Sequence, residues 1–457
     1  MSRRKKTRLQ TMTQVPQIRT DAAGVDISPE LIVAAVDPQK DSEPVRSFGT
    51  FTKELYRIAN WLQGCGVRTV AMESTGVYWI PLYQILEGRG FEVYLVNARH
   101  YKNVPGRKTD VCDSAWLQYL HAVGLLQGSF RPAQEFCMLR TLLRHRAGMV
   151  QTASEEIQHM HKSLDQMNVQ IHRVLSDITG VSGLAIVDAI LEGQRDGREL
   201  AALRDKRVRA SEESIVAALE GDYRPEHLFT LRQSLESYRH YQKQIVECDR
   251  QIRQMIDELE NKDEGGDPPE ARKKMRTKGD EELRQEFWRK FGTDLTAIPG
   301  INTGTVEVLL GEVGADLSRF RSAGAFSMWL GLCPDNRITG GKVKSSQSRK
   351  VESRLAGALR MAAESLCRDR SYFGVFYRRM KATLDGGAPA AITAAAHKLA
   401  RVIYTLVVRR EAYDEDKFKA AEQRNLDKQR KRLIKQAQAL GLVLVTPNTP
   451  AAALGVS

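Results

Sequence analysis

Four carboxylates stand out for where they fall. Asp26 closes an apolar run in GVDIS, Glu73 closes another in TVAMES, and Asp110 and Asp113 stand three apart in KTDVCD, directly before the helix-patterned SAWLQYLHAVGLL. Positions i and i+3 share one helix face, so Asp110 and Asp113 can act together. An aspartate in a first helical turn also satisfies unpaired amides and meets the positive end of the dipole, and for this pair taken alone that local role is sufficient. Convergence of all four acids changes the chemistry. Two carboxylates about 4 Å apart at an effective dielectric near 20 repel by roughly 4 kcal/mol, so such a cluster takes up protons or recruits cations. An all-oxygen donor set suits Mg²⁺, with Mn²⁺ able to substitute, and a pair of such ions about 4 Å apart supports in-line phosphodiester cleavage.

Positioning these acids requires a sheet whose strand ends lie side by side. From Ala22 to Pro132 short β-rich runs alternate with helical periods. GVDIS and LIVAAVD read as two strands of a meander and RSFGTF as a third. FTKELYRIANWLQGCG carries Phe51, Leu55, Ile58 and Leu62 at helical spacing and stops at glycine. Strand TVAMES, helix WIPLYQILEGRG, strand FEVYLVN and the helix begun by KTDVCD follow. Three strands and then α, β, α, β, α is the order of an RNase H-like fold, which sets the acids at one sheet edge.

From Gln134 to Glu260 strand signals vanish, and apolar residues spaced near 3.5 to 3.6 with charges between them predict long packed or coiled helices. GVSGLAIVDAILEG reads as a short buried helix between them. His159 and His161, at i and i+2, do not share a helix face, which argues against a metal role. NKDEGGDPPEARKK is a charged Gly/Pro linker. LTAIPGINTGTVEVLLGEVG reads as a helix-hairpin-helix-like module, its PGIN turn serving either as a plain helix corner or as an approach to a nucleic-acid backbone. The helix AFSMWLGLCP, the cationic loop DNRITGGKVKSSQSRK, the helix VESRLAGALRMAAESLCRDR and a final basic helix complete the chain. The expected domains are a disordered basic tail (1–20), an α/β catalytic domain (21–132), an all-α coiled-coil connector (133–262), a linker (263–286), a mainly helical C-terminal domain (287–410), and a basic helix with a flexible tail (411–457).

A chain of 457 residues has room for several cores, and its formal net charge of +13 favours a polyanionic partner. The charge is uneven: residues 341–381 hold eleven Lys and Arg against Glu352, Glu364 and Asp369. The six cysteines form no CxxC pair and read as reduced, buried thiols. No apolar h-region follows the basic start, and no apolar run is read as spanning a bilayer, so a cytoplasmic, nucleoid-associated protein without a membrane partner is expected.

GVDIS, AMESTGVYW, VNARHYKNVPGRKTDVCD, AIPGINTGTVEVLLGEVG and LGLCPDNRITGGK, in that order, resemble the DEDD transposases of the IS-one-ten insertion-sequence family. The resemblance covers roughly Val25 to Pro132 and Leu295 to Tyr404. It implies a RuvC-like N-terminal domain whose Asp, Glu, Asp and Asp fall on Asp26, Glu73, Asp110 and Asp113. It also implies a C-terminal transposase domain with a nucleophilic serine before a glycine, a helical connection between the two, and guidance by a noncoding bridge RNA. At the serine position this chain has Thr339, followed by Gly340 and Gly341. A threonine oxygen is a legitimate nucleophile, although its methyl group restricts the rotamer and crowds in-line attack.

The resulting expectation is a recombinase that cuts and rejoins DNA at an insertion sequence. Mg²⁺ is held by the four acids, and Thr339 is the first choice of nucleophile with Ser345 and Ser346 as alternatives. Lys342, Lys344, Arg349 and Lys350 contact backbone phosphates, and the protein assembles as a homo-oligomer, dimer or tetramer. One rival is a RuvC-like nuclease or junction resolvase that hydrolyses without a covalent intermediate. The other is a vestigial nucleic-acid-binding scaffold.

Overall fold

The computed structural model describes residues 16–74, 76–97, 110–262, 270–271, 275, 277–349 and 351–442, with only the backbone at Asp110, Val111, Cys112, Arg337, Val343, Ala421, Glu422 and Asn425. Lys350, most of the basic tail, much of the linker and the Pro/Ala end fall outside the described residues. The chain divides into two compact units between Arg131 and Pro132.

The first unit follows the predicted order: β1 (Ala22–Ile27), β2 (Ile32–Ala35), β3 (Val45–Phe48), α1 (Thr52–Gly64), β4 (Thr69–Glu73), α2 (Trp79–Gly88), β5 (Glu92–Val96) and α3 (Asp110–Ala122). The sheet runs β3-β2-β1-β4-β5, antiparallel on the β2 side of β1 and parallel from β1 through β4 to β5. This is an RNase H-like sheet. Alternation along the strands sends Val25, Ile27, Val70 and Met72 into a core with Ile58 and Leu62 of α1 and Leu82 and Leu86 of α2. Ala71 and Val96 face the other way, onto Leu117 and Leu120 of α3. With both faces covered, the central strands read as near-continuous apolar runs.

In the second unit, α4 (Gln134–Gln166) and α8 (Pro225–Glu258) form a long antiparallel pair. Ser163 near the end of α4 meets Thr230 near the start of α8 at 3.0 Å, whereas Arg146 near the start of α4 pairs with Asp249 far along α8. Between them in sequence come α5 (Val181–Leu191), α6 (Gly197–Ala202) and α7 (Glu212–Leu219), which share one core with the Ser163 end of the pair. The other end is tied to two of the helices that follow, α9 (Lys278–Phe291) and α10 (Thr303–Val313), after which comes α11 (Ala323–Trp329). Arg140 donates to the carbonyls of Gly311 and Glu312, Arg144 pairs with Glu312 at 2.7 Å, and the buried Lys290 donates to the carbonyls of Asp257 and Leu259 where α8 ends. β6 (Arg337–Thr339), β7 (Lys342–Ser345), α12 (Arg354–Ser365), α13 (Tyr372–Thr383), α14 (Gly387–Arg409) and α15 (Glu415–Ala439) complete the fold.

Several expectations need correction here. The cationic loop is a β-hairpin, because Gly340 and Gly341 both take positive φ (57° and 74°) and make the tight turn that antiparallel strands favour. The first helix of the helix-hairpin-helix-like module is only a three-residue 3₁₀ turn, Leu295–Ala297. Ile298 precedes Pro299 and is extended (φ −72°, ψ 126°), as a pre-proline residue prefers, so the helix cannot continue. The end of the predicted linker is helical: Thr277 caps α9 by accepting from the Asp280 amide. Of the five described cysteines only Cys248 is buried, and Cys367 is exposed. Among the described residues one helix, α14, is long and apolar enough to cross a membrane, where no such run was expected. Its Ala391, Ala395, Leu399, Ile403 and Leu406 are buried within the unit, so its apolar face is a core face.

Candidate active site

Glycine at position 24 fixes how α3 lies on the sheet. A Cβ there would sit 2.3 Å from the Gln118 amide nitrogen and 2.4 Å from the Ser114 carbonyl oxygen, so only glycine admits the helix backbone to β1. Gln118 donates through Nε2 to the Ala22 carbonyl (3.3 Å). Residue 118 therefore lies beside residue 22 and residues 114 to 118 lie over residue 24, so α3 runs opposite to β1 and its first turn lies at the Asp26 end.

The strands bring Glu73 to the same end. Val25 pairs with Met72 in the parallel β1–β4 ladder, so one step further Asp26 and Glu73 close neighbouring strands, whose backbones lie about 4.8 Å apart. Asp26 shares a face with Gly24, and Glu73 with Ala71, which packs on α3. Glu73 is buried and Asp26 and Asp113 are partly buried, all three with polar partners. Asp110 begins α3, and its side chain is outside the described set. Three predicted acids thus sit on elements converging on one sheet edge. Among the described residues no three Asp, Glu, His or Cys side chains stand close enough to count as a metal cluster. Their carboxylate oxygens are of the donor type that suits a hard divalent cation.

The opposite end of α3 is built differently. His121, fully buried, lies 2.8 Å from Thr69 Oγ1 and 3.2 Å from Arg19, with its ring 4.7 Å from that of Tyr94. Burial, reinforced by the Arg19 charge, pulls its pKa down to about 4, so it is a neutral structural histidine.

In the second unit Thr339 ends β6, exposed at the hairpin turn and paired across it with Lys342. Lys342, Lys344 and Ser346 are exposed, and Ser345 is partly buried and accepts from the Gln347 amide at 3.4 Å. Arg349 is exposed but tethered, donating to the Met328 carbonyl at 2.6 Å. The stem is closed by the Asp335 amide donating to the Gln347 carbonyl at 2.9 Å.

A model for the DEDD transposases of IS110 elements matches residues 23–169, spanning the sheet, its acids and α3, and a second, the Transposase IS116/IS110/IS902 family, matches residues 292–378, spanning the hairpin. The chain belongs to the IS110 family of transposases. Transposases of this family cut and rejoin DNA, so the chain is a DNA-acting transposase and recombinase of an insertion sequence, and DEDD enzymes of this kind use divalent metal ions. No curated protein matches significantly. One cationic group escaped the sequence reading: His397, Lys398 and Arg401 on α14, whose signal is three basic residues interrupting the apolar run TAAAHKLARVIYTLVV.

Proposed function

We propose that Asp26, Glu73, Asp110 and Asp113 form the DEDD site of this IS110 transposase and hold Mg²⁺, that Thr339 is its covalent nucleophile, and that the hairpin cations Lys342, Lys344 and Arg349, with Lys350, contact backbone phosphates. The observation that supports the acid site is the path of α3 over Gly24, which brings its first turn to the strand ends of Asp26 and Glu73. Divalent cations there would supply Lewis-acid polarisation of a phosphate oxygen. The clustered carboxylates orient that charge, and α3 fixes two of them on one face. The Thr339 oxygen bonds to the scissile phosphorus as the bond to the leaving strand oxygen breaks. The threonine proton is given up and the departing strand ends as a hydroxyl. Attack by another strand's hydroxyl on the ester rejoins DNA and frees Thr339, conserving bond energy that hydrolysis would dissipate.

Family membership and the basic charge support the remaining parts of this reading: a noncoding guide RNA, a homo-oligomer, action at the nucleoid, and a helical connector (133–262) between a RuvC-like domain (21–132) and a transposase domain (287–410). The test is recombination by the purified protein with Asp26→Ala, Asp110→Ala or Asp113→Ala, each expected to abolish strand exchange while leaving the fold intact. Full recombination by Asp113→Ala overturns the site. Metal-dependent nicking with no protein-DNA adduct would favour the plain nuclease, whose case rests on threonine standing where the family has serine.

A further inference from the structure

Between α13 and α14 a lysine lies against two aromatic rings. The Lys398 ammonium is 4.2 Å from the centroid of Phe376 and 4.5 Å from that of Tyr372, and it donates to the Tyr372 hydroxyl. The Arg379 guanidinium lies over the same Phe376 ring at 5.5 Å. Arg401 follows Lys398 by three positions and His397 by four, which puts all three on one side of α14. Among the described residues neither Lys398 nor Arg401 has a carboxylate within 4 Å.

That arrangement is costly unless something else completes it. Burial, then the charges of Arg379 and Arg401, push the Lys398 ammonium down to about 8, and burial followed by Arg401 lowers His397. Aromatic faces offset part of the desolvation of a cation, but they do not neutralise neighbouring positive charges. An ammonium has three donors, of which Tyr372 takes one. Arg349 of the hairpin stem is tied to the Met328 carbonyl of α11, and α11 packs on α14 with the Phe326 and Tyr404 rings 6.1 Å apart, so α11 links the hairpin stem to the helix that carries Lys398 and Arg401.

We propose that Lys398 and Arg401, with Arg379 at their flank, form a cleft for the phosphodiester backbone of a nucleic acid strand that continues from the hairpin across α14 towards α13. The proposal rests on the reading that the hairpin cations contact phosphates, and it names where the strand goes next. A phosphate oxygen accepts from the two remaining ammonium donors of Lys398 and from the Arg401 guanidinium fork, supplying the negative charge that these two residues do not find in a described carboxylate. Duplex DNA and guide RNA present the same diester, and the test separates them.

The experiment is fluorescence anisotropy with the full chain, using fluorescein-labelled duplex DNA and, in parallel, single-stranded RNA, over a salt series. Lys398→Met, Arg401→Gln and Arg379→Gln are compared with Lys342→Ala/Lys344→Ala, and the melting temperature of each free protein is recorded. Each cleft variant should lower the slope of log affinity against log salt by about one for the strand that occupies the cleft, and Lys398→Met should leave the melting temperature equal or higher. A fall with DNA alone assigns the cleft to DNA, and with RNA alone to RNA. Unchanged slopes with both probes in all three cleft variants overturn the proposal, and a lower melting temperature for Lys398→Met would then mark the lysine as a cation–π staple between helices. If the hairpin variant lowers the slope and the cleft variants do not, the cleft fails while the hairpin reading stands. The opposite pattern removes the hairpin and leaves the cleft.

Discussion

One methyl group separates Thr339, the proposed nucleophile, from a serine, and its cost is testable. Thr339→Ser should retain or raise strand exchange because only the crowding methyl is removed, whereas Thr339→Ala should keep nucleic-acid binding and lose exchange. Denaturing electrophoresis of protein trapped on a nicked duplex, with peptide mapping of the adduct, decides; an adduct on Ser345 or Ser346 moves the nucleophile. His121 sets an acid limit on the first unit. Its folded pKa is pulled from 6.5 to about 4, so the unfolded chain binds a proton that the folded one refuses between those values. The stability it contributes is complete above about pH 6.5 and is lost as pH falls through 4. Urea midpoints measured across that window should fall less steeply for His121→Gln than for wild type. Asp26 and Glu73 were legible as candidates because each closes an apolar run, and Asp110 and Asp113 because they stand three apart before a helix-patterned run. Lys398 was not, because a lysine in an apolar helix reads equally as a side chain that snorkels to water.

At the scale of elements, the site depends on a close approach that side-chain patterns do not record. Gly24→Ala sets a methyl against helix backbone, which cannot rotate aside. It should cost roughly 3 kcal/mol, measured by urea denaturation, and abolish recombination by lifting α3 from the strand ends. The hairpin gives a converse case. Gly341→Val forces a β-branched residue into φ 74°, at about 1–2 kcal/mol, whereas Gly341→Asn tolerates the turn. Strand exchange should drop for valine and survive for asparagine, with little change in the melting temperature of the whole protein because the turn is exposed. The RNase H-like order was legible from strand and helix periods. The hairpin was missed because its strands are short and polar, although TGGK carries the turn's own signature. The helix before PGIN was overread because the pre-proline geometry of Ile298 outweighed the helix propensity of Leu295 and Ala297.

At the scale of the whole molecule, the two units build their cores differently, one from a sheet covered on both faces and the other from helices alone. The alternation of strand and helix periods up to Pro132, and the loss of strand signals from Gln134, had predicted this contrast. What the sequence hid was the fate of α14, whose composition suits a bilayer as well as a protein core; only the buried positions around Ala395 and Leu399 show which solvent it has. The long helical pair still exposes Met138, Val150, Phe229 and Val246, and we expect it to support self-association. Multi-angle light scattering with and without nucleic acid should show a dimer or tetramer, and monomer under both conditions would reject the expectation. The same pair has a mechanical consequence. A helix of 34 residues extends about 50 Å, and α8 is held at one end by the Ser163–Thr230 contact and at the other by Lys290 gripping its last carbonyls. It is therefore a ruler of fixed length. Inserting seven residues at matching points of both helices would move its tip outward by about 10 Å and keep its orientation, whereas a four-residue insertion would also turn the apolar seam around the axis.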